Sequence, residues 1–178
     1  MNVIFEPEKV LASQAELEKY ETQMSECLVN TPVELCEITA FTCIRLCFGE
    51  LHIVDRKFET YAGQIKNGDF NLIIEDLDWQ VLEYDQVLVH SKMEQKEVEV
   101  LLSFLVSRRV ESVSVSSDQI EIMFDGDTRL VAKNMAQVIL DDGASTQDVG
   151  IRWYFSKGEE WLMTYNTKDM LELTSLTA

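Results

Sequence analysis

At 178 residues, with 46% hydrophobic and 26% charged side chains and only two prolines, the chain has the makeup of a folded protein without a low-complexity linker. A chain of that length buries roughly 70% of its unfolded surface, enough for a core without staples. Its 32 acids against 15 bases give a net charge of -17, which repels phosphate backbones and anionic lipid heads and argues against nucleic-acid and membrane-surface partners.

The opening MNVIFEPEK lacks a basic region followed by an apolar core, and the longest apolar run, 100–106, is broken by Ser103 and far too short to span a bilayer. The expectation is a soluble cytoplasmic protein. Cys27, Cys36, Cys43 and Cys47 all lie in the first third of the chain, and a chain this long does not need bridges, so free thiols are expected. From Pro7 to Leu28 the apolar residues Val10, Leu11, Leu17, Tyr20, Met24, Cys27 and Leu28 recur at three- and four-residue steps, which predicts an amphipathic helix ended by Asn30-Thr31-Pro32.

Residues 38–54, ITAFTCIRLCFGELHIV, read as a hairpin closed by a two-residue Gly49-Glu50 turn, with Ile44, Leu46 and Phe48 on one strand face. The segment Ile44-Arg45-Leu46-Cys47-Phe48-Gly49 shares its apolar order with Ile120-Glu121-Ile122-Met123-Phe124-Asp125-Gly126, an echo that suggests two related β-lobes. Residues 69–85 combine a strand around Phe70, Leu72 and Ile74 with an apolar stretch around Val81, and hold acids but no base. Glu75, Asp76, Asp78, Glu83 and Asp85 are set there among Trp79 and Tyr84. That is the mix an interface for a basic protein uses, aromatic anchors with carboxylates to pair with Lys and Arg. The plainer reading is a solvated turn with a core tryptophan.

Ser91 and Glu94 fit a capping box for a second helix reaching Val106, with Val98, Leu101, Leu102 and Leu105 as its apolar stripe. Arg108 to Lys133 then reads as a β-meander, its breaks at Ser116-Ser117-Asp118 and Asp125-Gly126-Asp127. Asp141 and Asp142 open a polar loop that misses the calcium-loop pattern and suits a rim of the partner surface. Residues 151–165, IRWYFSKGEEWLMTY, form a final hairpin around Ser156-Lys157-Gly158-Glu159, and Leu171, Leu173 and Leu176 mark a short edge element. Together these predict an α+β fold, mainly antiparallel β-meanders and hairpins with an N-terminal helix and a central helix packed on the sheet. It forms a single domain over 1–178 or, as the alternative, two β-rich lobes of about 1–90 and 91–178.

Catalytic signatures are missing. His52 and His90 are the only histidines, neither stands in a nucleophile motif, and the seven glycines sit singly, so no phosphate-binding loop occurs. The expectation is a protein that is not an enzyme, with no cofactor and no metal site. Three segments, QIEIMFDGDTRLVA, IRWYFSKGEEWLMTY and EDLDWQVLEYD, give the C-terminal two-thirds a style that resembles the small acidic immunity proteins of bacterial contact-dependent growth inhibition and related polymorphic toxin systems. That resemblance implies a cytoplasmic protein that neutralises one cognate toxin domain, a basic nuclease. Glu75, Asp76, Asp78, Glu83 and Asp85 would mimic phosphates, Trp79 and Tyr84 would supply buried area, and Asp141 and Asp142 would lie at the rim. The alternatives from other classes are a structural or regulatory domain of a bacterial assembly and a small hydrolase using His52 or His90.

Overall fold

The four positions Leu17, Tyr20, Met24 and Leu28, spaced at helical steps, are the buried residues of helix α1 (Gln14–Leu28). The computed structural model describes residues 14–39, 43–56, 63–75, 78–116, 119–133, 152–158, 161–166 and 173–174; the expected helical start at Pro7 and the loop carrying Asp141 and Asp142 lie outside them. After α1 come β1 (Val33–Ile38), β2 (Ile44–Phe48), β3 (His52–Arg56), β4 (Gly63–Asn67), β5 (Phe70–Glu75), β6 (Asp78–Glu83) and β7 (Gln86–His90). Helix α2 (Gln95–Leu102) and a 3-10 turn (Ser103–Leu105) precede β8 (Val110–Val115), β9 (Gln119–Phe124) and β10 (Thr128–Lys133), followed by β11 (Arg152–Lys157), β12 (Trp161–Asn166) and β13 (Leu173–Thr174). The α+β architecture expected from the sequence is the one observed, with antiparallel strands and both helices packed against them.

The strands form a six-stranded sheet in the order β1-β2-β5-β11-β12-β13, a five-stranded sheet in the order β7-β6-β10-β9-β8, and a separate β3–β4 ribbon. Consecutive strands β5 and β6 belong to different sheets. A second seam joins the sheets where Val33 N–H donates to Arg108 O (2.8 Å), Ser107 N–H to Val33 O (2.7 Å) and Asn30 N–H to Val110 O (2.8 Å). Between the sheets lies one hydrophobic core, with Trp79, Phe124 and Ile122 from the five-stranded sheet and Phe48, Trp153 and Phe155 from the six-stranded one. Tyr20 of α1 meets Trp153 edge-on at 6.4 Å, an arrangement aromatic quadrupoles favour. A cut near residue 90 would part β5 from β11 and β6 from β10, because both sheets draw strands from both halves.

The meander and the last hairpin are found where the periodicity puts them: β8, β9 and β10 pair antiparallel in sequence, and β11 pairs with β12. Residues 38–54 do not form the expected hairpin. The neighbours of β2 are β1 and β5, so both of its edges are taken; β3 pairs instead with β4, His52 opposite Asn67. Ribbon residues then cover the outer face of β2. Arg45 donates from Nη2 to Lys66 O (2.8 Å) and from Nη1 to Asn67 Oδ1 (3.2 Å), and Glu37 pairs with the same guanidinium at 2.8 Å. Every residue of β2 is therefore buried. Asp69 holds the base of the ribbon, with His52 Nε2 at 2.8 Å from Oδ1 and Glu50 N–H donating to Oδ2 at 2.9 Å; these two contacts keep its carboxyl below the usual carboxylate range.

Ser91 does not cap α2. Glu94 holds the N-cap position without a side-chain bond, and Ser91 Oγ donates to Asp78 Oδ1 (3.2 Å), because the chain after β7 turns once more before the helix begins. The four cysteines are free thiols, as expected, and burial pushes the Cys36 thiol above its ordinary range, which leaves it inert as a nucleophile. Among the described residues no helix is long and apolar enough to cross a membrane.

Candidate functional site

Alternation along β9 sends Ile120, Ile122 and Phe124 into the core and leaves Glu121 and Met123 on the opposite face of the five-stranded sheet. Register extends that outer face across the neighbouring strands. Glu121 stands opposite Val131, Val131 opposite Gln80, and Gln80 opposite His90, while Met123 stands opposite Arg129 and Arg129 opposite Leu82. Cavities lie at both ends of this face. One, of about 430 Å³, is lined by Tyr84, Asp85, Met123, Asp127 and Arg129; the other, of about 450 Å³, is lined by residues of β6, β7 and β10 with Lys92.

The first end is built from two turns. Tyr84 and Asp85 connect β6 to β7 with φ of 47° and 62°, the positive values that a two-residue type I′ connection requires at both positions. Asn and Gly suit such positions; a bulky aromatic residue there is a backbone outlier. Tyr84 N–H donates to Asp127 O (3.1 Å), which ties this turn to the β9–β10 turn, where Gly126 has φ 73° and Asp127 φ 52°. Arg108 locks the second turn from behind. Its guanidinium lies 4.4 Å over the Phe104 ring, donates to Asp125 O (3.1 Å), and sits close enough to Gly126 that a Cβ there would collide with Nη1. Tyr84 remains 67% exposed at the tip, where a side chain with so little cover is free to meet another molecule.

The residues singled out from sequence are dispersed by the fold. Trp79 is 1% exposed and belongs to the core, so its reading as an interface anchor is corrected: Asp78 and Gln80 face outward, and strand alternation turns the residue between them inward. Asp78 faces Lys92 at 3.3 Å, Glu83 lies 3.6 Å from Arg108, and Asp85 pairs with Arg129 at 2.6 Å, so these three acids are already answered by bases of the same chain. Glu75 accepts from Tyr154 Oη at 3.4 Å. Asp76, like Asp141 and Asp142, lies outside the described residues. Tyr84 and Asp85 come together at one cavity, joined by Met123, Asp127 and Arg129, which sequence reading missed, while Asp78 and Trp79 are among the residues around the other. The strand alternation of β9 and β10 signals that Met123 and Arg129 share a face; that β6 is the next strand over is a matter of sheet order, which local pattern does not contain.

His52 Nε2 lies 2.8 Å from Asp69 Oδ1, and the cavity beside His90 has no serine, threonine or cysteine among its described lining residues. Among the described residues no group of three or more His, Cys, Asp or Glu is arranged to hold a metal ion. No family model, no curated protein and no solved structure matches the chain.

Proposed function

We propose that this protein is a non-catalytic inhibitor or capture protein, which holds a basic protein domain against the paired-turn end of its five-stranded sheet, in the manner of the immunity proteins its sequence resembles. The observation that carries this reading is Tyr84: an aromatic side chain 67% exposed, on a backbone of φ 47° that its residue type disfavours, beside Asp85 and Asp127. Stability alone would favour Asn or Gly at this turn. Strain of this kind is retained where the residue serves a contact. The aromatic ring supplies desolvated area, and Asp127, which forms no ion pair among the described residues, supplies a carboxylate for Arg or Lys of the partner. The net charge of -17 steers encounter with a cationic surface from beyond contact range.

The test is recovery of partners from source-cell lysate with tagged wild-type and Tyr84→Asn proteins, at low and then moderate salt. A basic toxin domain retained by wild type at both salts, and held about 2 kcal/mol more weakly by the variant, supports the reading. Asn fits a positive φ better than Tyr, so the variant keeps or gains stability and misfolding does not mimic the result. Retention of nothing at moderate salt, or equal retention by both proteins, removes Tyr84 from an interface and with it this proposal.

A further inference from the structure

At the opposite end of the same face the described residues lining the second cavity carry more basic than acidic groups. The cavity of about 450 Å³ is walled by Lys92, Lys133, His90, Gln80 and Asp78, with Val131 as the apolar residue of its floor. In a chain with only 15 bases and two histidines, two lysines and one histidine converge here. The one carboxylate is already engaged, since Asp78 accepts from Ser91 Oγ (3.2 Å) and faces Lys92 Nζ (3.3 Å). Lys133 stands opposite Asp78 in the β6–β10 register, is exposed, and has no ion pair among the described residues. His90 Nδ1 accepts the Lys92 backbone N–H at 3.2 Å, so the neutral ring carries its proton on Nε2, which is left as a donor. Within the described lining, counting Lys92 against Asp78 leaves one positive charge, that of Lys133, among further donors from His90 and Gln80; Glu121, opposite Val131 on the next strand, accepts from Gln119 Nε2 at 3.1 Å.

We infer that this cavity binds a small organic monoanion, a carboxylate on an apolar body. The carboxylate meets Lys133 with His90 and Gln80 donating beside it, and the apolar portion rests on Val131. The volume falls within the range of small-molecule sites, and the pairing of a few convergent donors with an apolar floor is what such sites share. The site lies away from Tyr84 and stands independently of the partner proposed above.

The test is titration of the isotope-labelled full chain with benzoate at neutral pH and near-physiological salt, where the long-range field of the remaining acids is screened within about 8 Å. The His90 ring and Lys133 side-chain resonances report occupancy. Saturable shifts are expected with benzoate, at least about tenfold weaker with benzamide, which lacks the charge, and weaker also with inorganic phosphate, which lacks the apolar body. Lys133→Gln is expected to lose about tenfold in affinity at an unchanged thermal midpoint, whereas Asp78→Asn, which deletes the opposing carboxylate, tightens binding. Shifts that do not saturate, an equal response to benzamide, tighter binding of phosphate, or a Lys133→Gln protein that binds like wild type would overturn the assignment. A weakened Asp78→Asn would do the same.

Discussion

Strands β2 and β9 share an apolar order and end in glycine turns of nearly the same backbone angle, φ 75° at Gly49 and 73° at Gly126, yet the fold uses them differently. Their inward faces are equivalent: Ile44, Leu46 and Phe48 on one, Ile120, Ile122 and Phe124 on the other, all at most 1% exposed. Their outward faces are not. Arg45 and Cys47 lie under the β3–β4 ribbon, whereas Glu121 and Met123 lie on the open face between the two cavities. Each glycine is held by a side chain from far along the chain: Asp69, whose Oδ2 would stand 2.5 Å from a Cβ on Gly49, and Arg108 at Gly126. A common local pattern thus sets which side of a strand is apolar, and what covers the other side comes from elsewhere.

Substitutions at matched positions sharpen that contrast. The largest effects belong to the shared inward face. Phe48→Ala and Phe124→Ala should each cost about 3 to 5 kcal/mol in urea unfolding, and a gap of more than about 2 kcal/mol between them would break the equivalence. Arg45→Ala should cost about 2 to 3 kcal/mol, since it removes bonds to Lys66 O, Asn67 and Glu37 beneath the ribbon. Its counterpart Glu121→Ala should stay within about 0.5 kcal/mol. Equal costs at these two positions would mean the ribbon adds nothing to β2.

The glycines come next. Gly49→Ala and Gly126→Ala should each lose about 1 to 2 kcal/mol, from the positive φ and from displacing Asp69 or Arg108. Combining Gly126→Ala with Arg108→Ala should cost less than the sum of the two, because the displaced guanidinium forfeits its contacts with Asp125 O and Phe104 only once. The smallest effect is electrostatic. The Asp69 carboxyl titrates below its unfolded value, so its contribution is present above about pH 4 and fades as pH falls through the lowered folded value. Wild type should therefore lead Asp69→Asn by less than about 1 kcal/mol at neutral pH, the pair being half exposed, and the lead should vanish in acid.

Much of the fold was readable residue by residue. The α1 stripe, the alternation of β9 and the β11–β12 hairpin each rest on contacts a few residues apart, where period and turn chemistry leave little choice. The failures have a common cause. Gly49-Glu50 carries a hairpin signal, but β2 had no free edge for β3, and edge occupancy is decided by β5, more than twenty residues on. Likewise the acidic segment 75–85 reads as one interface, yet alternation buries Trp79, sheet order assigns β5 and β6 to different sheets, and Lys92, Arg108 and Arg129 pair with its carboxylates. Tyr84 was named from its neighbours; its positive φ and the company of Met123 and Asp127 come from sheet order.

By itself the sequence determined the class of fold, the inward face of most strands and a charge of -17, because each follows from composition or short-range periodicity. Tertiary structure decided the strand order of the two sheets, the burial of both faces of β2, the pairing of the acids and the convergence of Lys92, Lys133 and His90 on one cavity. Those depend on which edges meet across dozens of residues, a choice made by the packing of the whole core.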